Sequence, residues 1–308
     1  MDISRMPKDV RKMTQYCRGG AQMKAAARMT CLLAALAAAS SVALAQWLQL
    51  PLPGTPRGKN GKPNLSAAAP RTADARPDLT GIWEYHRWSD PARAAAAATA
   101  IAPPPEPVTL GVPAPPPGGL GLKGLLQNGD RILFEPWAEA LYKQRQENNG
   151  IGLPSEHCLP HGPPGALMIP IPFKILQTPA EVAILFEEFN YYRQIHTDGR
   201  SHPQSMNPAW YGYSVGKWDK DTLVVDTAGF NDLTWLDVSG YPHSQDLHTI
   251  ERITRPDFGH MDISMRIDDS KAYKEPWTIL LHFDLQPDTE LIEHLCDNER
   301  DSRHMVGK

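Results

Sequence analysis

The signatures of several common catalytic machineries are missing from this 308-residue chain. No Gly-x-Gly-x-x-Gly follows a strand-like segment, which argues against a dinucleotide site. There is no Gly-Lys-Ser/Thr phosphate loop and no His-Glu-x-x-His zinc helix, so nucleotide hydrolysis and zincin proteolysis have no motif to rest on. A nucleophile elbow, with serine on a strand-to-helix turn, is not expected either. Cysteine is scarce: of four, Cys17 and Cys31 lie within the first 45 residues. Cys158 and Cys296 are far apart with no Cys-x-x-Cys spacing, and no histidine pair has a third ligand at standard spacing. No metal site and no organic cofactor is therefore expected, and cofactor-free chemistry fits best.

Export is written into the first 45 residues. Lys24 and Arg28 precede an uncharged run, Met29 to Leu44, and Ala43-Leu44-Ala45 has the small-x-small pattern of a signal-peptidase site. Residues 1–45 are expected to be a signal segment cleaved before Gln46, with residues 1–22 an over-long start ahead of Met23. A transmembrane anchor is the competing reading, but this Ala-rich, Ser-interrupted run falls short of the ~20 strongly apolar residues that spanning needs. No stable membrane anchor is expected, and the mature protein belongs in the periplasm or outside the cell. In that oxidising compartment Cys158 and Cys296 form an even pair, and a disulfide is expected; a reactive thiol or metal ligand beside His157 and His161 is the alternative.

Removing the segment also changes the charge. It holds seven of the 31 Lys/Arg but two of the 35 Asp/Glu, leaving 24 basic against 33 acidic groups on 263 residues. Such a chain offers no basic face to nucleic acid or to an anionic membrane. A hydrophobic small molecule is the expected partner. The length suits one large domain or two small ones.

Residues 46–77 read as an extended arm, Pro- and Gly-punctuated, serving as a linker or a strap. Within it Pro56-Arg57…Asn60-Gly61-Lys62-Pro63-Asn64 is echoed fourteen residues later by Pro70-Arg71…Asp74-Ala75-Arg76-Pro77-Asp78. A single β-rich domain, 78–308, is expected to follow. Its first strand is Gly81 to His86, followed by an Ala-rich helical patch at 91–101 and a Pro-rich insertion at 102–118. One helix is convincing: Pro136 suits a first helical position, Trp137 and Leu141 share a face, Glu139 and Lys143 pair at i,i+4, and Gly150 ends it. From Phe173 onward, short β-branched and aromatic segments alternate with tight turns. The expected strands are 173–178, 181–190, 191–197, 211–218, 221–227, 247–255, 260–267, 277–286 and 290–296. Short connections imply antiparallel pairing, and so long a meander must close or stack. The expected fold is mainly β, an antiparallel meander closed as a lipocalin-like β-barrel with one N-terminal helix and Pro-rich loops; a two-sheet sandwich is the alternative.

Polar residues crowd into 187–252, among them Glu187, Glu188, His196, Asp198, Asp226 and His248. An acid, a base and an aromatic wall facing one cavity is what proton transfer on an apolar substrate requires. Ordinary cross-strand ion pairs would account for the same residues. Three constellations stand out. His196 and His202 are expected to flank an Asp198-Gly199 hairpin turn. Residues 235–244 form an aromatic, acidic, His-bearing loop, expected at the rim of the site. In His248-Thr249-Ile250-Glu251-Arg252, His248 and Arg252 point one way and Glu251 the other, and either face could be internal.

Pro77-Asp78-Leu79-Thr80-Gly81-Ile82-Trp83 resembles the opening of a large group of uncharacterised exported bacterial proteins. Trp218-Asp219-Lys220-Asp221-Thr222-Leu223-Val224-Val225-Asp226-Thr227, Gly229-Phe230-Asn231-Asp232 and Thr234-Trp235-Leu236-Asp237 resemble its central signature. Gly81-Ile82-Trp83 is also similar to the lipocalin and calycin opening, whose tryptophan closes one barrel end beneath a basic residue. That likeness implies either a binding protein or a cofactor-free hydratase or isomerase. The reading is a cofactor-independent enzyme, a lyase, isomerase or hydrolase, using general acid–base catalysis on a hydrophobic or aromatic small molecule. His202, His243 and Glu251 are the expected proton carriers, with Arg193, Arg200 and Asp237 orienting or stabilising charge. Trp210, Tyr213, Trp218, Trp235 and Tyr192 are expected to bind substrate. A non-catalytic carrier of a hydrophobic ligand is the rival.

Overall fold

The computed structural model describes residues 51–86, 121–127 and 129–296. The expected signal segment, the Ala-rich patch and the Pro-rich insertion lie outside the described residues. Nine strands close into a barrel in chain order: β1 (Gly81–Tyr85), β2 (Phe173–Gln177), β3 (Glu181–Phe186), β4 (Tyr192–His196), β5 (Tyr213–Asp219), β6 (Thr222–Ala228), β7 (His248–Thr254), β8 (His260–Asp268) and β9 (Trp277–Leu285). β9 returns to β1 through Trp83↔Leu285 and Tyr85↔Phe283, so the sheet has no free edge. Alternation decides what faces inward. Met261, Ile263, Met265 and Ile267 of β8 are at most 1 % exposed, while Asp262, Ser264 and Arg266 point out. Trp277, Ile279, Leu281 and Phe283 of β9 meet them across the same face, and side chains pack the interior.

Four expectations need correcting. The barrel is lipocalin-like, but it is not antiparallel throughout: β4 and β5 pair parallel, at Ile195↔Ser214 and His196↔Val215. Residues 197–212 cross from one barrel end to the other, long enough for a parallel connection. Asp198-Gly199 is thus no hairpin, and His196 and His202 do not sit on paired strands. Residues 290–296 form no strand. The closed sheet leaves no edge to accept one, and the segment makes a single bridge, Glu188↔His294, with Phe189 N–H donating to His294 O at 3.0 Å. The expected strand 181–190 stops at Phe186, because Phe189 and Asn190 turn the chain with φ of 55° and 58°. The predicted helix is α1 (Pro136–Glu147), with proline in its first turn and Glu139 and Lys143 paired at 2.6 Å. A one-turn helix, α2 (Gly165–Met168), joins it.

The arm is a strap across one end of the barrel. Its sequence echo is a structural echo. Asn64 N–H bonds Pro56 O and Asp78 N–H bonds Pro70 O, making two matching hairpins. In each, arginine holds its own turn, Arg57 on Gly61 O (3.1 Å) and Arg71 on Ala75 O (2.7 Å). Each also reaches a barrel-end carboxylate: Arg57 pairs with Asp288 at 2.5 Å, and Arg71 grips Asp221, in the β5–β6 turn, with two bonds. Between the hairpins, Leu65 O and Ala67 O accept from Gly259 and Phe258 in the β7–β8 turn. At this end Trp83 is fully buried, its indole N–H on Leu79 O, and the Arg255 guanidinium lies 4.8 Å from its ring centre. The lipocalin-like tryptophan under a basic residue is therefore present, and burial pulls Arg255 down to about 10.

Candidate functional site

Parallel pairing of β4 and β5 at two positions leaves a seam in the wall. Towards the end away from the strap the two strands diverge, and the notch between them is a cleft of about 330 Å³. Tyr191, Tyr192, Trp210, Tyr211 and Tyr213 supply its walls. Arg193 and Ser214 reach it from the barrel interior, and His196 and Gln194 add polar edges. The loop after Cys158 also contributes, through Pro160. Tyr191 donates its hydroxyl to Cys158 O at 2.9 Å, and Cys158 is bonded to Cys296, with Cα atoms 5.5 Å apart. The expected disulfide thus anchors one wall of the cleft.

Beneath the seam lies a buried polar network. Alternation on β4 and β7 turns Arg193 (2 % exposed) and Glu251 (0 %) inward, which settles the face of β7 left open by its sequence. Arg193 binds Glu251 through Nη1 at 3.0 Å and Nη2 at 2.5 Å. It also donates through Nε to Ser214 Oγ at 3.2 Å and through Nη2 to Thr227 Oγ1 at 2.9 Å. Ser214 belongs to Gly212-Tyr213-Ser214-Val215-Gly216, a Gly-x-Ser-x-Gly run that the sequence reading passed over. It is no nucleophile elbow: Ser214 lies within β5, 1 % exposed, with its Oγ on Arg193 and Thr227.

A second group lies on the outer face of β5, β6 and β7. Asp226 Oδ1 accepts from His202 Nε2 and from His248 Nε2, each at 2.8 Å. Burial alone would raise the Asp226 carboxyl, but the hydrogen bonds from His248 and His202 outweigh it and hold it below its ordinary value. An ionised carboxylate on Nε2 fixes the tautomer and leaves Nδ1 as the basic nitrogen. The Nδ1 of His202 is buried with no hydrogen-bond partner among the described residues. Tyr213 connects this group to the cleft: it lines the cleft, and its ring centre is 5.1 Å from that of His196 and 5.9 Å from that of His202. Arg200 donates to the Tyr213 hydroxyl at 3.4 Å and is held by Asp198, whose carboxyl the Arg200 hydrogen bonds pull down to about 2.

No protein-family model, curated protein or solved structure matches this chain.

Of the residues expected at the site, Trp210, Tyr213, Tyr192 and Arg193 line the cleft, Glu251 stands behind Arg193, and His202 and Arg200 flank Tyr213. Others lie elsewhere. Trp218 sits with Arg76 at 5.9 Å, and Trp235 is buried under Arg145 at 4.3 Å. The loop 235–244 is packed inward and is no solvent rim. His243 is 3 % exposed, with Nε2 on Thr234 Oγ1 at 2.6 Å and Nδ1 on Ser244 O at 3.0 Å. Asp237, also 3 % exposed, accepts from Ser239 N–H (2.9 Å) and Leu122 N–H (3.3 Å). Burial pushes its carboxyl up to about 6 and lowers His243 below its usual value. Asp226 and His248 stood out among the polar residues of 187–252 but were given no role at the site, and neither were Tyr191 and Tyr211. For Asp226 a signal existed: alternation puts it opposite in sense to Leu223, Val225 and Thr227, all buried.

Proposed function

We propose that this chain is an exported, cofactor-independent enzyme acting on a hydrophobic or aromatic small molecule by general acid–base catalysis, with the seam cleft as its site. The observation that carries this reading is the position of Tyr213, a wall of an aromatic cleft and a neighbour of the His202–Asp226–His248 group. An imidazole oriented by a carboxylate is a general base, and a phenol beside it can donate or relay a proton. In this reading Asp226 orients, His202 and Tyr213 move the proton, and the aromatic walls hold the substrate. The signal-like pattern read in residues 1–45 and the Cys158–Cys296 bond support chemistry in the periplasm or outside the cell.

One observation favours a carrier instead: Arg193 and Glu251, the buried ion pair beneath the cleft, are bonded to each other. Untargeted metabolite profiling separates the two. A strain lacking the protein is complemented with wild type or with Asp226→Asn, which preserves shape and removes the charge. An enzyme predicts that an accumulated compound disappears with wild type and persists with Asp226→Asn, since a positioned proton-transfer group is worth about 10²–10⁴ in rate. Full complementation by Asp226→Asn overturns the catalytic reading in favour of the carrier.

A further inference from the structure

The chemistry of the cleft says more about its occupant than size does. Among the described residues lining it, Arg193 is the one formally charged side chain, and its charge is already matched. Four of its five N–H groups are committed to Glu251, Ser214 and Thr227. Arg200, the next cation along the wall, is held by Asp198 at 2.5 Å. No carboxylate lines the cleft among the described residues. Behind it Glu251 is matched by Arg193, and Glu188 is buried with His161 Nε2 3.1 Å away. An anionic or cationic ligand entering here would lose its hydration and find no unmatched counter-charge among the formally charged side chains that line the cleft. What the walls do offer is ring faces. Tyr192 and Tyr213 come from β4 and β5, Tyr191 from just ahead of β4, and Trp210 and Tyr211 from the crossing segment between the two strands, with Gln194, His196 and Ser214 as hydrogen-bonding edges.

We propose that the seam cleft selects an uncharged, planar aromatic molecule carrying hydrogen-bonding groups, and rejects its ionic isosteres. The proposal rests on the reading of the cleft as the ligand site and names the class of molecule that site takes. Stacking on aromatic faces rewards the ring. The unmatched cost of stripping water from an ion disfavours the charged forms.

Benzamide, benzoate and benzamidine share one shape and differ in charge, so they isolate the effect. Each is titrated into the full mature protein near pH 7 and followed by NMR shift perturbation, with Trp210→Ala as the site control. The expected result is that benzamide binds roughly tenfold or more tightly than either ion, and that Trp210→Ala weakens it. Equal or tighter binding of benzoate or benzamidine, still sensitive to Trp210→Ala, overturns the charge inference and leaves the site standing. Absence of binding by all three, or binding that Trp210→Ala does not change, overturns both the inference and the cleft as a ligand site.

Discussion

Arg193→Met is the most informative single change to this protein. It strands Glu251, a carboxylate with no exposure, inside a barrel packed with isoleucine, methionine and phenylalanine. Removing one partner of a buried pair typically costs about 3–5 kcal/mol, because the remaining charge has no compensation. For a domain of this size that lowers the melting temperature by roughly 6–20 °C, at about 2–4 °C per kcal/mol. The double variant Arg193→Met/Glu251→Leu removes both charges and fills the space with apolar atoms. Such replacements are often neutral or stabilising by about 1–4 kcal/mol. Urea unfolding followed by tryptophan fluorescence measures both variants, provided the slope with denaturant is unchanged. A single-variant cost under about 1 kcal/mol, or a double variant as damaged as the sum of its parts, refutes the argument that the pair is mutually dependent.

Two further outcomes follow from the geometry. Asp237 is pushed by burial up to about 6, so it stabilises the fold fully below its unfolded value near 4 and loses that contribution as pH rises through 6. The stability advantage of wild type over Asp237→Asn should therefore shrink by about 2 kcal/mol between pH 4 and pH 7, with His243 cancelling because both proteins carry it; a pH-independent difference rejects the assignment. At Gly259 an added Cβ would stand 2.4 Å from Leu65 Cβ and 2.9 Å from its backbone. Gly259→Ala should lift the strap from the β7–β8 turn and speed limited proteolysis between residues 51 and 77, whereas an unchanged cleavage rate means that the arm is held elsewhere.

Alternation and turn chemistry were enough to read most of the barrel. Eight of the nine strands from 173 onward were placed within a few residues, because period-two patterns such as Met261/Ile263/Met265/Ile267 are local and admit one inward face. Gly81-Ile82-Trp83 announced the capped end, and the two cysteines beyond the first 45 residues announced their bond. The arm's echo was equally visible, although its use as a double staple was not. What the sequence could not settle was direction and partnership. Residues 197–212 contain the turn-like Asp198-Gly199, so locally they read as a hairpin. Only closure of the sheet shows that they cross the barrel and set β5 parallel to β4. That crossing opens the seam, places Arg193 and Ser214 beneath it and carries His202 to Asp226. The loop 235–244 failed for the converse reason. Its composition suits a rim, but composition does not say whether Asp237 and His243 meet water or the chain's own backbone. Strand identity is a property of neighbours in sequence; the site is made by residues that only the closed barrel brings together.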